Sequence, residues 1–361
     1  MSELTEILKE TVNRLFGNLV TRDVLEKAEA GEWPTNLWTA LVENGLTHPL
    51  VPENKGGVGA TFEDIYEIIY AAGYHGAPVP LAETILASWL TAASGLDVPG
   101  GPDSPGAPMA ILEYRDDAPL KLASTGAGWC LNGTAPNTPW GHMADTLVAV
   151  ADAGGALRVA LLENDPGFSS RDLNMAREPR DSLTFKDAEV AAISEPLGYE
   201  FTRDTVRLYG ALFRSAQMAG ATQRVLDISV EYALEREAFG RTISKFQAIQ
   251  HQLASLAAHT AQATMATETA FRAADRGDPR FEIAVAKIIA GQTATQSAEI
   301  GHQVHGAIGF AHEHMLNFYT RRLWCWRAEY GSESQWAEEL GRRAAGRGPD
   351  MLWSDLTHQQ S

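Results

Sequence analysis

The chain's 361 residues predict a mainly α protein of the α+β class, with an N-terminal helical domain, a small middle β domain and a C-terminal four-helix bundle. Three observations carry that expectation. Apolar residues fall at helical spacing to about residue 93, alternate with polar ones between about 145 and 190, and return to helical spacing in long segments after about residue 202. A chain of this length supports two or three domains and a sizeable core without covalent staples. The boundaries drawn are 1–107, 108–197 and 198–361.

In the first segment, Leu37 and Leu41 of "NLWTALVENGL" and Ile65, Ile68, Ile69 and Ala72 of "FEDIYEIIYAAGYHG" recur three or four apart, with Gly and Pro clusters between the runs. "GLDVPGGPDSPGAP" (95–108) is dense in Gly and Pro and reads as a linker. "DTLVAVADAGGALRVALLE" (145–163) is two β-rich runs around a turn, and Leu183 and Phe185 of "SLTFKDAEV" alternate with polar neighbours as in a half-buried strand. Beyond Thr202, Val206, Phe213, Ala216, Val225 or Leu226, Val230 and Ala233 form a helical stripe over some thirty residues. "RGDP" (276–279) orders Gly277 as a helix stop, Asp278 as an N-cap and Pro279 as a first helical residue. "SESQ" (332–335) matches a capping box that opens a last helix to about Ala345. The C-terminal domain is expected to hold four long helices.

A net charge of −17 with scattered basic residues argues against nucleic acid as a partner. No apolar run reaches the roughly 20 residues that span a bilayer. Glu3, Glu6 and Lys9 charge the segment where a signal peptide would be apolar, and Cys130 and Cys325 form neither a metal spacing nor a disulfide framework. These features predict a reducing, cytoplasmic setting.

Several motifs have plain structural readings. "GGVGA" (56–60) lacks the Lys of a phosphate loop and reads as a turn. His302, His305, His312 and His314 lack the paired spacing of a zinc site, so they read as surface and cap histidines and no metal is expected. Glu333 in a first helical turn suits the helix dipole. "REAFGRTISKFQAIQHQLA" (236–254) differs: a cation, an aromatic face and a helix start meet at one corner. That combination suits a dianionic ligand with a planar ring, and equally an ordinary helix corner around a buried Phe.

These residues resemble the acyl-CoA dehydrogenase family over nearly the whole chain. "REAFGRTISKFQAIQHQLA" is similar to its Arg-x-x-Phe-Gly…Phe-Gln signature, "QVHGAIGFAHEHMLNFYTRR" (303–322) to its Gln-x-x-Gly-Gly-x-Gly segment, and "LVENGLTHPLVPENKGGVGATFEDIYEIIYAAG" to its N-terminal stretch. The resemblance implies FAD as cofactor and an acyl-CoA as substrate. It implies that Arg236, Phe239 and Gln247, with Gln303 and Gly306, meet the diphosphate and adenosine half of FAD in a neighbouring subunit. Ala307 replaces that segment's second Gly, which adds a methyl where the backbone should approach the cofactor.

The family's catalytic Glu aligns with Tyr330, and a minority position aligns with Gly210; neither is a carboxylate, and a phenol's ordinary pKa near 10 does not suit a base at neutral pH. Glu329 and Glu333 are weak substitutes. The family's Thr-Glu-Pro and flavin-ring stretches correspond to "AILEYRDDAPLKL" (110–122) and "NGTAPNTPWGH" (132–142), where the pattern is eroded. The expectation is therefore a companion subunit that completes the FAD site of a related catalytic subunit acting on a bulky acyl-CoA, such as a sterol side-chain thioester. The alternatives are a self-sufficient homotetrameric enzyme with a relocated base and a flavin-free scaffold.

Overall fold

A computed structural model describes residues 3–99, 106–126, 128–163 and 167–357. Residues 100–105 of the linker expected at 95–108 lie outside that set. Five helices open the chain: α1 (Glu3–Leu19), α2 (Arg22–Glu29), α3 (Thr35–Glu43), α4 (Phe62–His75) and α5 (Leu81–Ala93). The start of α4 is set locally, because Thr61 and Asp64 form a capping box. It is also tied to the distant bundle, since the Asp275 carboxylate accepts from the backbone N–H groups of Phe62 and Glu63, each at 2.9 Å.

Among the described residues ten strands follow in chain order: β1 (Met109–Leu112), β2 (Lys121–Thr125), β3 (Gly128–Pro139), β4 (Thr146–Asp152), β5 (Leu157–Glu163), β6 (Gly167–Ser170), β7 (Arg180–Glu189), β8 (Ala192–Ile193), and the pair β9 (Glu237–Ala238) and β10 (Arg241–Thr242). The first eight make one sheet in the order β6-β7-β3-β2-β4-β5-β8, with β1 parallel to β4. The alternation read in the sequence is visible in β7, where Leu183 and Phe185 are buried and Lys186 and Asp187 are exposed.

The last layer holds three long helices, α6 (Thr205–Glu235), α7 (Gln247–Ala274) and α8 (Arg280–His305), then the shorter α9 (Leu316–Trp326), α10 (Glu333–Arg347) and α11 (Pro349–Thr357). Four long helices were expected. The fourth position is filled by the 15-residue α10 against α8, and a further helix, α11, follows where the chain was expected to stop being helical. Pro279 is the N-cap of α8 and Asp278 caps the Arg280 N–H with its side chain, one residue later than the sequence suggested; the ring locks φ near the helical value in either position. Of the α6 stripe, Val206, Phe213, Ala216, Val225 and Ala233 are buried, but Val230 is 37% exposed because it faces away from the helices that surround α6.

The N-terminal helices and the bundle share a core. A Cβ at Gly73 of α4 would lie 2.0 Å from the Gln217 carbonyl oxygen, and one at Gly220 of α6 would lie 2.0 Å from that of Tyr70. Only glycine permits two helices to cross this closely. Among the described residues no helix is long and apolar enough to cross a membrane.

Candidate functional site

Two places on α6 carry the residues singled out in the sequence, one near each end. At the C-terminal end, Arg236 caps α6 and β9 and β10 form a hairpin whose tip is Phe239 and Gly240, with φ of 53° and 80°. Of the two readings of this corner, the one around a buried Phe does not hold at Phe239, which is 95% exposed and edge-on to Phe246 because the hairpin carries it away from the bundle. Arg236 and Gln247, the first residue of α7, are exposed, and Arg236 makes no ion pair among the described residues.

α8 ends beside them. The Tyr232 hydroxyl donates to the His305 carbonyl at 3.5 Å, and Val304 packs with Ala233 and Ile243, so exposed Gln303 and Gly306 join the same face. Gly306 has a φ of 66° with open space where a Cβ would point, and Ala307 is exposed beside it. The five residues thus share one end of the bundle and face outward. Their chemistry fits a dinucleotide: an unpaired guanidinium for a diphosphate, an aromatic face for a planar ring and the N-terminus of α7, which favours anions.

Beneath this face lie His302 and His305, which the sequence placed at the surface. They are only 7% and 4% exposed, because the chain from Gly306 to His314 folds over them. His302 stacks on Phe310 with ring centres 3.9 Å apart, and His305 stacks on Tyr232 at 4.4 Å and meets His314 at 4.7 Å. Burial lowers the pKa of both, that of His305 to about 4. No three His, Cys, Asp or Glu side chains among the described residues gather as a metal set.

The other place lies between the sheet and the N-terminal part of α6. A cleft of about 1440 Å³ is lined by residues of the 110–122 and 132–142 stretches and by Arg180, Arg207, Glu329 and Tyr330. The two positions at which the sequence lacked a base meet here, since a Cβ on Gly210 would lie 2.5 Å from the Tyr330 ring. Tyr330 has a φ of 55° and Gly331 of 95°, a left-handed pair that needs outside support. Lys287 supplies part of it by donating to the carbonyls of Arg327 and Gly331 at 2.7 Å each, and Trp336 supplies more by donating to the Tyr330 carbonyl at 3.0 Å. Burial pulls the Lys287 ammonium down to about 7.

Glu329 is held by Arg180 at 2.7 Å and Arg214 at 2.8 Å. Burial alone would raise its carboxyl, but the two guanidinium groups outweigh it and hold the pKa at about 2. The network continues without a break: Arg214 pairs with Glu83, Arg180 with Glu178, Glu178 with Arg322, Arg322 with Glu29 at 4.0 Å, and Glu29 with Arg321. Glu333 pairs with Arg327. Sequence reading missed these cations. Arg214 in "ALFRSAQMAG" and Lys287 in "IAVAKIIAG" each interrupt an apolar run, a readable sign that a charge would need a buried partner. The partners themselves lie up to 131 residues away.

Residues 2–96 match the acyl-CoA dehydrogenase N-terminal domain and residues 208–344 the acyl-CoA dehydrogenase C-terminal domain. The chain belongs to the acyl-CoA dehydrogenase family, whose members are FAD-dependent oxidoreductases. It is similar to the acyl-CoA dehydrogenase IpdE2 of Mycobacterium tuberculosis, with 26% identity over 323 residues, 89% of this chain and 91% of that one. The fold is also that of the ChsE4-ChsE5 complex from Mycobacterium tuberculosis, with a TM-score of 0.84 at 22% identity, covering 97% of this chain and 99% of that one. The Tcur3481-Tcur3483 steroid ACAD G363A variant shares 28% identity at a TM-score of 0.82, covering 94% of this chain and 97% of that one.

Proposed function

We infer that this chain is the companion subunit of a heteromeric acyl-CoA dehydrogenase and that its C-terminal helices complete the FAD site of a related catalytic subunit. The observation that carries the reading is the meeting of Tyr330 and Gly210 in the chain's own cleft. On this reading a phenol ring stands where the family's base would be, and Glu329 beside it is held as an anion by two arginines. The α6 helix adds a distance argument. Gly210 and Arg236 are 26 residues apart (236 minus 210) along one helix and its cap, about 39 Å at 1.5 Å per residue. The outward corner therefore serves a cofactor in another subunit.

In that role Arg236 bonds phosphate oxygens, Phe239 and Gln247 border the adenosine, and Gln303 and Gly306 let the backbone approach. FAD, when bound, supplies the hydride acceptor for α,β-dehydrogenation of an acyl-CoA. The likeness to a steroid dehydrogenase complex favours a bulky polycyclic acyl group. Co-expression with a related subunit that keeps the catalytic Glu should give stoichiometric FAD and acyl-CoA oxidation, while the chain purified alone should give neither. Stoichiometric FAD and turnover from the isolated chain would overturn this reading.

A further inference from the structure

A second cavity, of about 150 Å³, lies where the end of α2 and the residues after it meet the 3-10 turn Gly141–Met143 and the chain just before β7. Of its described lining residues it shares only Leu173 with the large cleft. Its aromatic wall is braced from behind. Trp33 packs on Trp38 with ring centres 5.6 Å apart, and the Trp38 indole donates to the Gly106 carbonyl at 2.9 Å. Trp140 is buried, and its backbone N–H donates to the Pro179 carbonyl at 3.1 Å. Trp140 and Arg177 both have a left-handed backbone, with φ of 57° and 60°, which is costly for large side chains and persists only where the surroundings enforce it.

The charges at this cavity are accounted for. Glu29 pairs with Arg321, and its carbonyl accepts from the Arg177 Nε at 2.8 Å. Glu32 and Arg177 are exposed, so their charges stay with solvent. The polar group left for the cavity is His142. Its Nδ1 and its backbone N–H both donate to one carboxylate oxygen of Asp181, each at 2.8 Å. Asp181 is fully buried, and its other oxygen has no hydrogen-bond partner among the described residues. A buried carboxylate with a spare oxygen is an expensive way to cap a three-residue turn, but it fixes the imidazole. With the proton held on Nδ1, Nε2 of the neutral ring is an acceptor. The His142 side chain is 22% exposed and lines the cavity, and Nε2 has no partner among the described residues.

We propose that this cavity binds one neutral aromatic ring carrying a single O–H or N–H donor, with the ring against Trp33, Trp140 and Met143 and the donor on His142 Nε2. The size agrees, since an apolar cavity of ~150 Å³ takes one benzene ring. Asp181 is a positioning residue for the imidazole, and no bond is made or broken in the site. The inference goes beyond the FAD clamp and uses none of its residues.

The test titrates the full chain by calorimetry with phenol and with fluorobenzene, which has nearly the same shape and no donor. Phenol should bind the wild type saturably, one per chain, with a Kd about fivefold below that of fluorobenzene, the effect of one hydrogen bond. His142→Phe should close that gap while fluorobenzene still binds. Ala28→Leu, which enlarges a side chain in the wall, should weaken both ligands about tenfold and so locate them. No saturable phenol binding, no preference for phenol, a preference that survives His142→Phe, or unchanged affinities in Ala28→Leu would overturn the proposal. Should His142→Phe fail to fold, the wild-type preference and the Ala28→Leu result decide. None of these readings involves FAD or Arg236, so this proposal and the companion-subunit reading fail separately.

Discussion

The two ends of α6 use charge in opposite ways. Around Arg214 and Glu329 the charges are buried, paired and continuous, and they join α2, α5, β7, α6 and α9 into one block. Around Arg236 the charge is exposed and unpaired, and the buried polar groups beneath it are histidines that burial keeps neutral. A buried ion pair is expensive to make and more expensive to break, so the first arrangement enforces a geometry. A guanidinium without an ion pair among the described residues stays available, which is what the proposed FAD role needs.

Breaking the buried block should have the largest effect. Arg214→Met leaves Glu83 and Glu329 without their shared cation and should destabilise the chain by about 3–5 kcal/mol in chemical denaturation. Arg236→Glu should do the reverse. Its unfolding free energy should stay within about 0.5 kcal/mol of wild type, because the side chain is exposed, while FAD retained by the co-purified complex should fall about a hundredfold. Equal loss of stability in the two variants would erase the distinction between the ends. Gly220→Ala, between them, pushes a methyl into the Tyr70 carbonyl and should cost about 1–3 kcal/mol, read as a lower melting temperature.

Acid should separate the ends more gently. His305 binds fewer protons folded than unfolded between its ordinary 6.5 and about 4, so its contribution is lost as pH falls through that range. The groups facing it are His302 on α8, Tyr232 on α6 and His314, which in turn feels Arg22. Glu329 has a depressed pKa, so its stabilisation is complete above 4.5 and is lost only toward about 2. Amide hydrogen exchange should rise first around 301–314 and only at lower pH around 327–336. Simultaneous opening would show that the ends do not titrate independently.

Much of this was legible as local pattern. The capping box at Ser332 and Gln335, the β4–β5 turn and the helical face of α4 depend on neighbours a few residues apart, and the structure shows each where the spacing put it. The sequence left two readings of the Phe239 corner open because nothing local distinguishes an aromatic at a hairpin tip from one in a core. His302 and His305 were misjudged because the chain that covers them comes later and folds back.

The order of helices, strands and helices, the corner motif and the identities of Gly210 and Tyr330 were properties of the sequence, since periodicity and residue identity are written along the chain. Only the tertiary structure seated the Tyr330 ring on Gly210 and paired Glu329 with Arg180 and Arg214. Those facts depend on contacts between residues up to 149 positions apart, and a carboxylate's chemistry is decided by which charges stand beside it and how much water it has lost.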